Sequence, residues 1–405
     1  MKKIKIALFW QILIALILAI LYGIFLSDHV KYVSWLGDLF MRALKMIIVP
    51  LILTSIISGV ANMGTGKDLG RLGLKTMGYY TMTSVFAIVT GLFFVNIIKP
   101  GKGADLGFVS EVEGLAEANE SFGKTLLEII PENFFASLTS GHMLSIIFFA
   151  ILFGFFITKI NAKPRVFLTD FFNASFDVMM QITQFIIKFT PLGIFGIVAK
   201  VISEQDDLLA LASRLGLYML VVVMGLAFHG LVTLPLIVRF VGKANPFAHM
   251  KAMRNALITA FSTSSSGATL SLTIDNVRKN SGVSDRISSF TLPLGATVNM
   301  DGTALYELVV AMFIAQAYGI EMSIGMQIIA VITALLASIG AAGIPMAGLV
   351  MISVVLTAMG LPLEGLGLVL AVDRILDMFR TTINVWSDSC AAVVIAKSEG
   401  ETLKV

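Results

Sequence analysis

The chain has 405 residues, of which 57% are hydrophobic and only 14% charged, with a net charge of +3. A soluble domain carries about 25% charged residues, so the composition excludes an ordinary soluble fold, and the small net charge gives no footprint for nucleic acid. The single cysteine, Cys390, excludes an internal disulfide and a Cys-rich metal site.

Barrel strands of about ten alternating residues are absent, and the apolar runs have helical length, so the chain is read as an all-α polytopic membrane protein. The four histidines, His29, His142, His229 and His249, lack metal-ligand spacing and are read as ordinary.

Lys2-Lys3-Ile4-Lys5 precedes an apolar run that lacks a small-residue cleavage site, so span 1 is set at 6–26 rather than read as a signal peptide. Span 2 covers 35–59, with Arg42 and Lys45 expected near its outer end or against another subunit. A short basic loop, 64–75, leads to span 3 at 76–98, which opens on the hydroxyl-rich Tyr80-Thr81-Met82-Thr83-Ser84. An acidic loop follows, then a fragmented span 4 within 122–158, broken at Pro131 and Gly141. Span 5 is 166–199 with Pro191 inside, and span 6 is 208–240. Lys and Arg concentrate at both termini and in alternate loops, so both termini are predicted to be cytoplasmic in the cell inner membrane.

From Pro246 the pattern changes. In 255–275 two short apolar arms flank the hydroxyl-rich centre 262–266, with basic residues on both sides. Each arm is too short to span, which describes a re-entrant hairpin with its tip at 264–266. Span 7, 287–318, carries Gly295, Asn299, Asp301, Gly302 and Thr303 in mid-span and is read as partly unwound. A second hairpin, 325–361, has a glycine-rich tip between Ser338 and Gly348 and enters from the opposite side. Hairpin and span thus occur twice in inverted orientation, the pattern of a secondary transporter with its site at the midplane.

Span 8, within 368–395, organises the rest. It is apolar enough to span, yet it holds Asp373, Arg374, Asp377, Arg380, Asn384 and Asp388. An ionisable group facing lipid costs roughly 2.5–3.5 kcal/mol. At about 100° per residue, Asp373, Asp377, Arg380, Thr381, Asn384 and Asp388 fall within roughly 100° of arc. This stripe must face protein, water or ligand. Arg380 offers a planar fork for a carboxylate, Asp377 suits an ammonium, Asn384 both donates and accepts, and Asp388 is left over as a cation ligand. The bland alternative is a structural ion-pair ladder.

These residues resemble the glutamate transporter family, the dicarboxylate/amino acid:cation symporters, over essentially the whole chain and most densely at 255–398. The motifs are Ser264-Ser265-Ser266-Gly267, Asn299-Met300-Asp301-Gly302-Thr303, Gly343-Ile344-Pro345 and the span 8 stripe. The resemblance implies eight transmembrane helices plus two re-entrant helical hairpins, inverted repeats, a homotrimer and an elevator-type transporter. The scaffold would be 1–75 and 101–205, and the moving transport domain 76–100 and 206–405, with hairpin 2 as gate. It further implies that Arg380 takes the substrate's side-chain carboxylate, Asp377 its amino group and Asn384 its α-carboxylate. Thr303, Thr381, Ser265 and Ser266 would assist, and Gly348 would close over the ligand. Three sodium sites are implied: Thr83 and Ser84 with Tyr80, Asn299 and Asp301; Asp388 with Gly295, Asn299 and Asn384; and Thr297 with Ser338, Ile339 and Ala341. No cofactor is expected beyond the coupling ions.

Arg380 and Asp377 together favour aspartate or glutamate over a simple dicarboxylate, because an unpaired buried carboxylate penalises a substrate lacking an ammonium. Two positions depart from the sodium-only archaeal pattern. Thr263 stands where some relatives have arginine, with Arg374 on span 8 instead, and Glu307 stands where glutamine is usual, raising proton cotransport and potassium counter-transport. The runner-up reading is a proton-coupled C4-dicarboxylate/glutamate symporter. A serine hydrolase lacks a Gly-x-Ser-x-Gly elbow and a base, and two re-entrant gates argue for alternating access over a passive channel.

Overall fold

The computed structural model describes residues 8–62, 67–103, 127, 129–205, 207–339 and 347–405, and every regular element among them is helical. The acidic loop beyond Gly103 and the tip of hairpin 2, with Ala341 and Gly343-Ile344-Pro345, lie outside the described residues.

Helix α1, Leu8–Phe25, leads through a 3-10 turn at Ser27–Tyr32 into α2, Ser34–Ala61. Helix α3, Lys67–Ile98, starts earlier than expected, so most of the predicted basic loop is helical. The reason lies at the far end of the chain. Arg71 and Lys75, one turn apart, both reach Glu399 at 2.6 Å, which holds this first turn in place.

Span 4 is fragmented as read. Helix α4, Phe134–Ser140, stops at Gly141, whose φ of 72° is left-handed, and α5, Met143–Ile157, resumes after it. Span 5 corrects the expectation of one helix. It divides into α6, Ala162–Ile187, and α7, Thr190–Ser203, bent by 52°. Pro191 opens α7 instead of interrupting a longer helix, a position where its missing N–H costs nothing. Helix α8, Leu208–Phe240, contains a π-helical turn at His229–Thr233 just ahead of Pro235.

Hairpin 1 has its tip at the serines. Helix α9, Pro246–Thr263, ends at Ser264 in the left-handed conformation (φ 51°), and α10, Ser266–Asn276, is capped by Ser265, whose hydroxyl accepts from Ala268 N. Span 7 is broken where its polar residues predicted. Helix α11, Asp285–Val298, and α12, Asp301–Ala317, are separated by Asn299 and Met300. Helices α13, Ile324–Ile339, and α14, Ala347–Ala358, are the arms of hairpin 2, and α15, Leu366–Ser398, is unbroken over 33 residues.

Among the described residues, helices Ser34–Ala61, Arg71–Ile98, Leu208–Phe240 and Asp285–Ala317 are each long and apolar enough to cross a membrane, and the bent α6–α7 pair together makes a fifth. Helix α15 has the length, but its charges set it apart. The protein is a membrane-embedded helical bundle.

Two packing neighbourhoods are visible. Helices α5, α6 and α7 pack on α2, with α1 along α7, while α3 and α8–α15 surround α12 and α15. They meet where α13, α14 and α15 reach α2, α5 and α7. Helix α12 is buried at every residue from Asp301 to Ala315, so its polar side chains at 301, 303 and 307 face the interior of the bundle.

Candidate functional site

The polar stripe of α15 turns wholly inward. Asp373, Asp377, Arg380, Thr381, Asn384 and Asp388 are all buried, whereas the Arg374 side chain at the edge of the stripe keeps 19% exposure. The ion-pair ladder anticipated as the bland reading is present in part. Arg380 Nη2 lies 3.0 Å from Asp373 Oδ1 and 2.8 Å from Asp377 Oδ1. Its guanidinium carbon stands 3.9 Å from the centre of the Tyr306 ring, and Tyr306 OH donates to Asp373 Oδ1 at 2.7 Å.

The ladder does not use up Arg380. Its Nε and Nη1 are buried and have no hydrogen-bond partner among the described residues. Leaving donors of a buried cation unsatisfied costs on the order of 1–3 kcal/mol or more, a cost that a carboxylate arriving at Nη1 would remove. Gly348 packs directly against this guanidinium: a Cβ there would sit 2.6 Å from Nη1, so only a glycine allows the approach. Arg374 Nη1 reaches Asp377 Oδ2 at 3.4 Å, so a span 8 guanidinium does stand beside Asp377.

One turn on, Asn384 joins α15 to the first turn of α12. Its Oδ1 accepts from Gly302 N at 2.8 Å and its Nδ2 donates to Thr303 Oγ1 at 3.1 Å. Gly302 is required here, since a Cβ would meet Arg380 O at 2.5 Å. Ser265 and Ser266, at the tip of hairpin 1, are buried, and the hairpin docks on α15 through an edge-to-face contact of Phe261 with Phe379.

Deeper in the bundle is an oxygen-rich cluster at the α11–α12 break. Ser84 Oγ donates to Asp301 Oδ1 at 2.7 Å, and Thr83 Oγ1 lies 3.3 Å from Asp301 Oδ1, 3.4 Å from Asn299 Oδ1 and 3.2 Å from Tyr80 O. Asn299 Nδ2 donates to Asp388 Oδ1 at 2.9 Å, and the missing Cβ of Gly295 would fall 2.4 Å from that same oxygen. The first cation group expected from the sequence, and Asp388, Gly295 and Asn299 of the second, are therefore brought together and share Asn299, while the Asn384 side chain is engaged by Gly302 and Thr303. Hard cations take oxygen ligands of this kind. A transition-metal centre has no ligand set among the described residues.

The third expected group is not assembled in this way. Thr297 is exposed and its hydroxyl donates to Leu294 O, Ser338 Oγ donates to Leu335 O, Ile339 ends α13, and Ala341 is outside the described residues. Glu307 is fully buried, with both carboxyl oxygens unpartnered among the described residues.

Several residues of the site escaped the sequence reading. His229, taken there as ordinary, is a correction: its Nε2 lies 3.0 Å from Asp301 Oδ2. The sequence signal was a histidine deep inside an apolar span, and the π-helical turn that begins at His229 widens the helix there. Ser387 also donates to Asp301 Oδ2, at 2.6 Å. Asp373 was seen in the stripe but given no role, and Tyr306 had no signal beyond its place on α12.

A buried constellation of opposite charges beside two interrupted helices in an apolar bundle defines a membrane transporter. The chain belongs to the sodium:dicarboxylate symporter family, whose model matches residues 8–398. It is 35% identical to the proton/glutamate-aspartate symporter of Escherichia coli K12 over 98% of this chain and 94% of that protein. It is 36% identical to the proton/sodium-glutamate symport protein of Geobacillus stearothermophilus, covering 98% and 96% of the two chains. With human excitatory amino acid transporter 3 the identity is 37% over 96% of this chain and 85% of that protein. The family is one of secondary transporters, so this chain is a transporter and not an enzyme.

Proposed function

We propose that the chain is a symporter for acidic amino acids, L-aspartate or L-glutamate, driven by the sodium gradient. The observation that carries this is Arg380, a buried cation with two uncommitted nitrogens, one of them against Gly348. In this reading Arg380 receives the side-chain carboxylate, Asp377 exchanges part of its pairing with Arg380 for the substrate ammonium, and Asn384 with Thr303 holds the α-carboxylate. Thr381 and the serines 265 and 266 complete the pocket. Sodium is a co-substrate, bound by Asp301, Asn299, Thr83, Ser84 and the Tyr80 carbonyl in one place and by Asp388 with Gly295, Asn299 and Asn384 in another. A third site at Thr297, Ser338, Ile339 and Ala341 would form with hairpin 2.

The same reading takes the chain as eight spans and two re-entrant hairpins, a homotrimer in the cell membrane with cytoplasmic termini. The neighbourhood of α1, α2 and α4–α7 would be the scaffold. The neighbourhood of α3 and α8–α15 would move as an elevator, with hairpin 2 as gate. The names of the relatives, which include glutamate, aspartate, sodium and proton, support the substrate class and leave the coupling ion to experiment. A proton-coupled carrier is the second reading, favoured by Glu307, a buried carboxyl free to carry a proton and, in a fuller cycle, to answer to potassium.

Calorimetric titration of L-aspartate into the purified protein tests the proposal. Binding is expected in sodium and lost when choline replaces it, with succinate binding at least tenfold more weakly. Equal affinity for succinate would remove the role of Asp377, and equal affinity in choline would remove sodium.

A further inference from the structure

A second charged space lies away from the buried site. A cavity of about 260 Å³ between α2 and α7 is lined by Ser34, Asp38, Arg42, Lys45, Ile197 and Lys200. Asp38, Arg42 and Lys45 follow one another by four and three residues, which puts them on one face of α2. Above them the two helices cross in close contact. A Cβ on Gly37 would lie 2.6 Å from Ile197 Cγ1, and one on Gly196 would lie 2.5 Å from Gly37 N. The cavity is therefore walled by backbone that cannot readily shift.

The lining holds three cations and one carboxylate, with Lys200 also drawn toward Glu204 one turn along α7, so the excess positive charge rests on Arg42 and Lys45 beside Asp38. Among the described residues Asp38, Arg42 and Lys45 enter no ion pair, and all three are exposed. These groups sit in the first half of a membrane-crossing helix. Arg42 and Lys45 are roughly 12 and 16 Å along the axis from Ser34 at 1.5 Å per residue, and helical side chains lean back toward the N-terminus. Long cationic stems in such a place snorkel to the water interface. That interface is marked independently: Tyr32 and Trp35, on either side of Ser34, are 64% and 55% exposed, as aromatic residues at headgroup level are.

We propose that this cavity binds the phosphate of an anionic phospholipid headgroup. Arg42 and Lys45 neutralise the phosphate, the acyl chains lie along the apolar flank of α2, and Asp38 accepts from a headgroup hydroxyl. The site favours phosphatidylglycerol over phosphatidylcholine, whose own ammonium cancels its phosphate and would offer no donor to Asp38. It is independent of the transport reading.

The test is native mass spectrometry of the full chain in delipidated micelles, titrated with phosphatidylglycerol, phosphatidylcholine or inorganic phosphate. Wild type is expected to retain phosphatidylglycerol in preference to phosphatidylcholine. Arg42→Gln with Lys45→Gln should weaken this about 30-fold, and Arg42→Gln alone about fivefold, with Lys163→Gln as an unchanged control. Arg42→Gln alone decides the matter if the double variant does not fold. Unchanged phosphatidylglycerol retention in these variants would overturn the proposal. So would displacement of the lipid by low-millimolar phosphate, which would make the occupant a free anion. Loss of subunit assembly with unchanged lipid retention would assign the cations to a neighbouring copy and also overturn it.

Discussion

Arg380 stacks on Tyr306 with 3.9 Å between guanidinium carbon and ring centre, and both side chains hold the same oxygen of Asp373. Aromatic ring and carboxylate together fix the direction in which the remaining nitrogens point, so the proposed anion site would be set before a substrate arrives.

Arg380→Cys should lower L-aspartate affinity by about 100-fold or more, since a hydrogen bond to a charged group is worth about 1.5–3 kcal/mol and two nitrogens are involved. It should also admit neutral amino acids, and competition of labelled aspartate by serine checks this. Because removing one partner of a buried ion pair costs about 3–5 kcal/mol, thermal unfolding should be recorded on the same variant.

Asp373→Asn preserves shape and removes one of the two charges on Nη2. Arg380 then leans toward Asp377, 2.8 Å away, and competes with the substrate ammonium. Aspartate affinity should fall about tenfold while direct sodium binding without substrate is unchanged. Equal loss of both would make Asp373 a general structural residue.

At the cation cluster, Gly295→Ala forces a Cβ to within 2.4 Å of Asp388 Oδ1. The carboxylate must move, and the sodium concentration giving half-maximal aspartate binding should rise about tenfold. Gly216→Ala, where nothing lies within 4 Å of the new carbon, should leave it unchanged. Asp301→Asn should have the larger effect, because Ser84, Ser387 and His229 all meet that carboxylate.

The sequence made the stripe of α15, the tip of hairpin 1 and the break at Asn299 legible for one reason. Each sets polar groups where an apolar environment cannot take them, so the chain must provide a cavity or partners. Position along the chain was enough for these. The coupling of His229 to Asp301 was not readable, because it joins residues 72 apart through the crossing of two helices, and a lone histidine does not name its partner. The bend between α6 and α7 was missed because a proline inside an apolar run suits both a kink and a new first turn.

The C-terminal segment supplies a pH-dependent contribution outside the membrane. The hydrogen bond from Lys75 holds the Glu399 carboxyl below its ordinary value of 4.5, with Arg71 adding to it and desolvation opposing. Its side chain is 8% exposed, but Arg71 and Lys75 are 63% and 36% exposed, so the gain is that of a surface pair, below about 1 kcal/mol. A depressed carboxyl stabilises the fold above its unfolded value and loses that contribution as pH falls through the lower folded value. Thermal unfolding of wild type and Glu399→Gln should therefore differ at pH 7 and converge as the pH drops below about 4.

The most direct measurement is uptake of labelled L-aspartate into liposomes holding the purified protein, under an inward sodium gradient, with potassium or choline inside. The account predicts uptake that collapses without sodium. A further demand for internal potassium, lost in Glu307→Gln, would tie that carboxyl to a proton–potassium cycle. Uptake independent of sodium and driven by a pH gradient would contradict the role given to Asp301, Asn299 and Asp388 and make the protein a proton-coupled carrier.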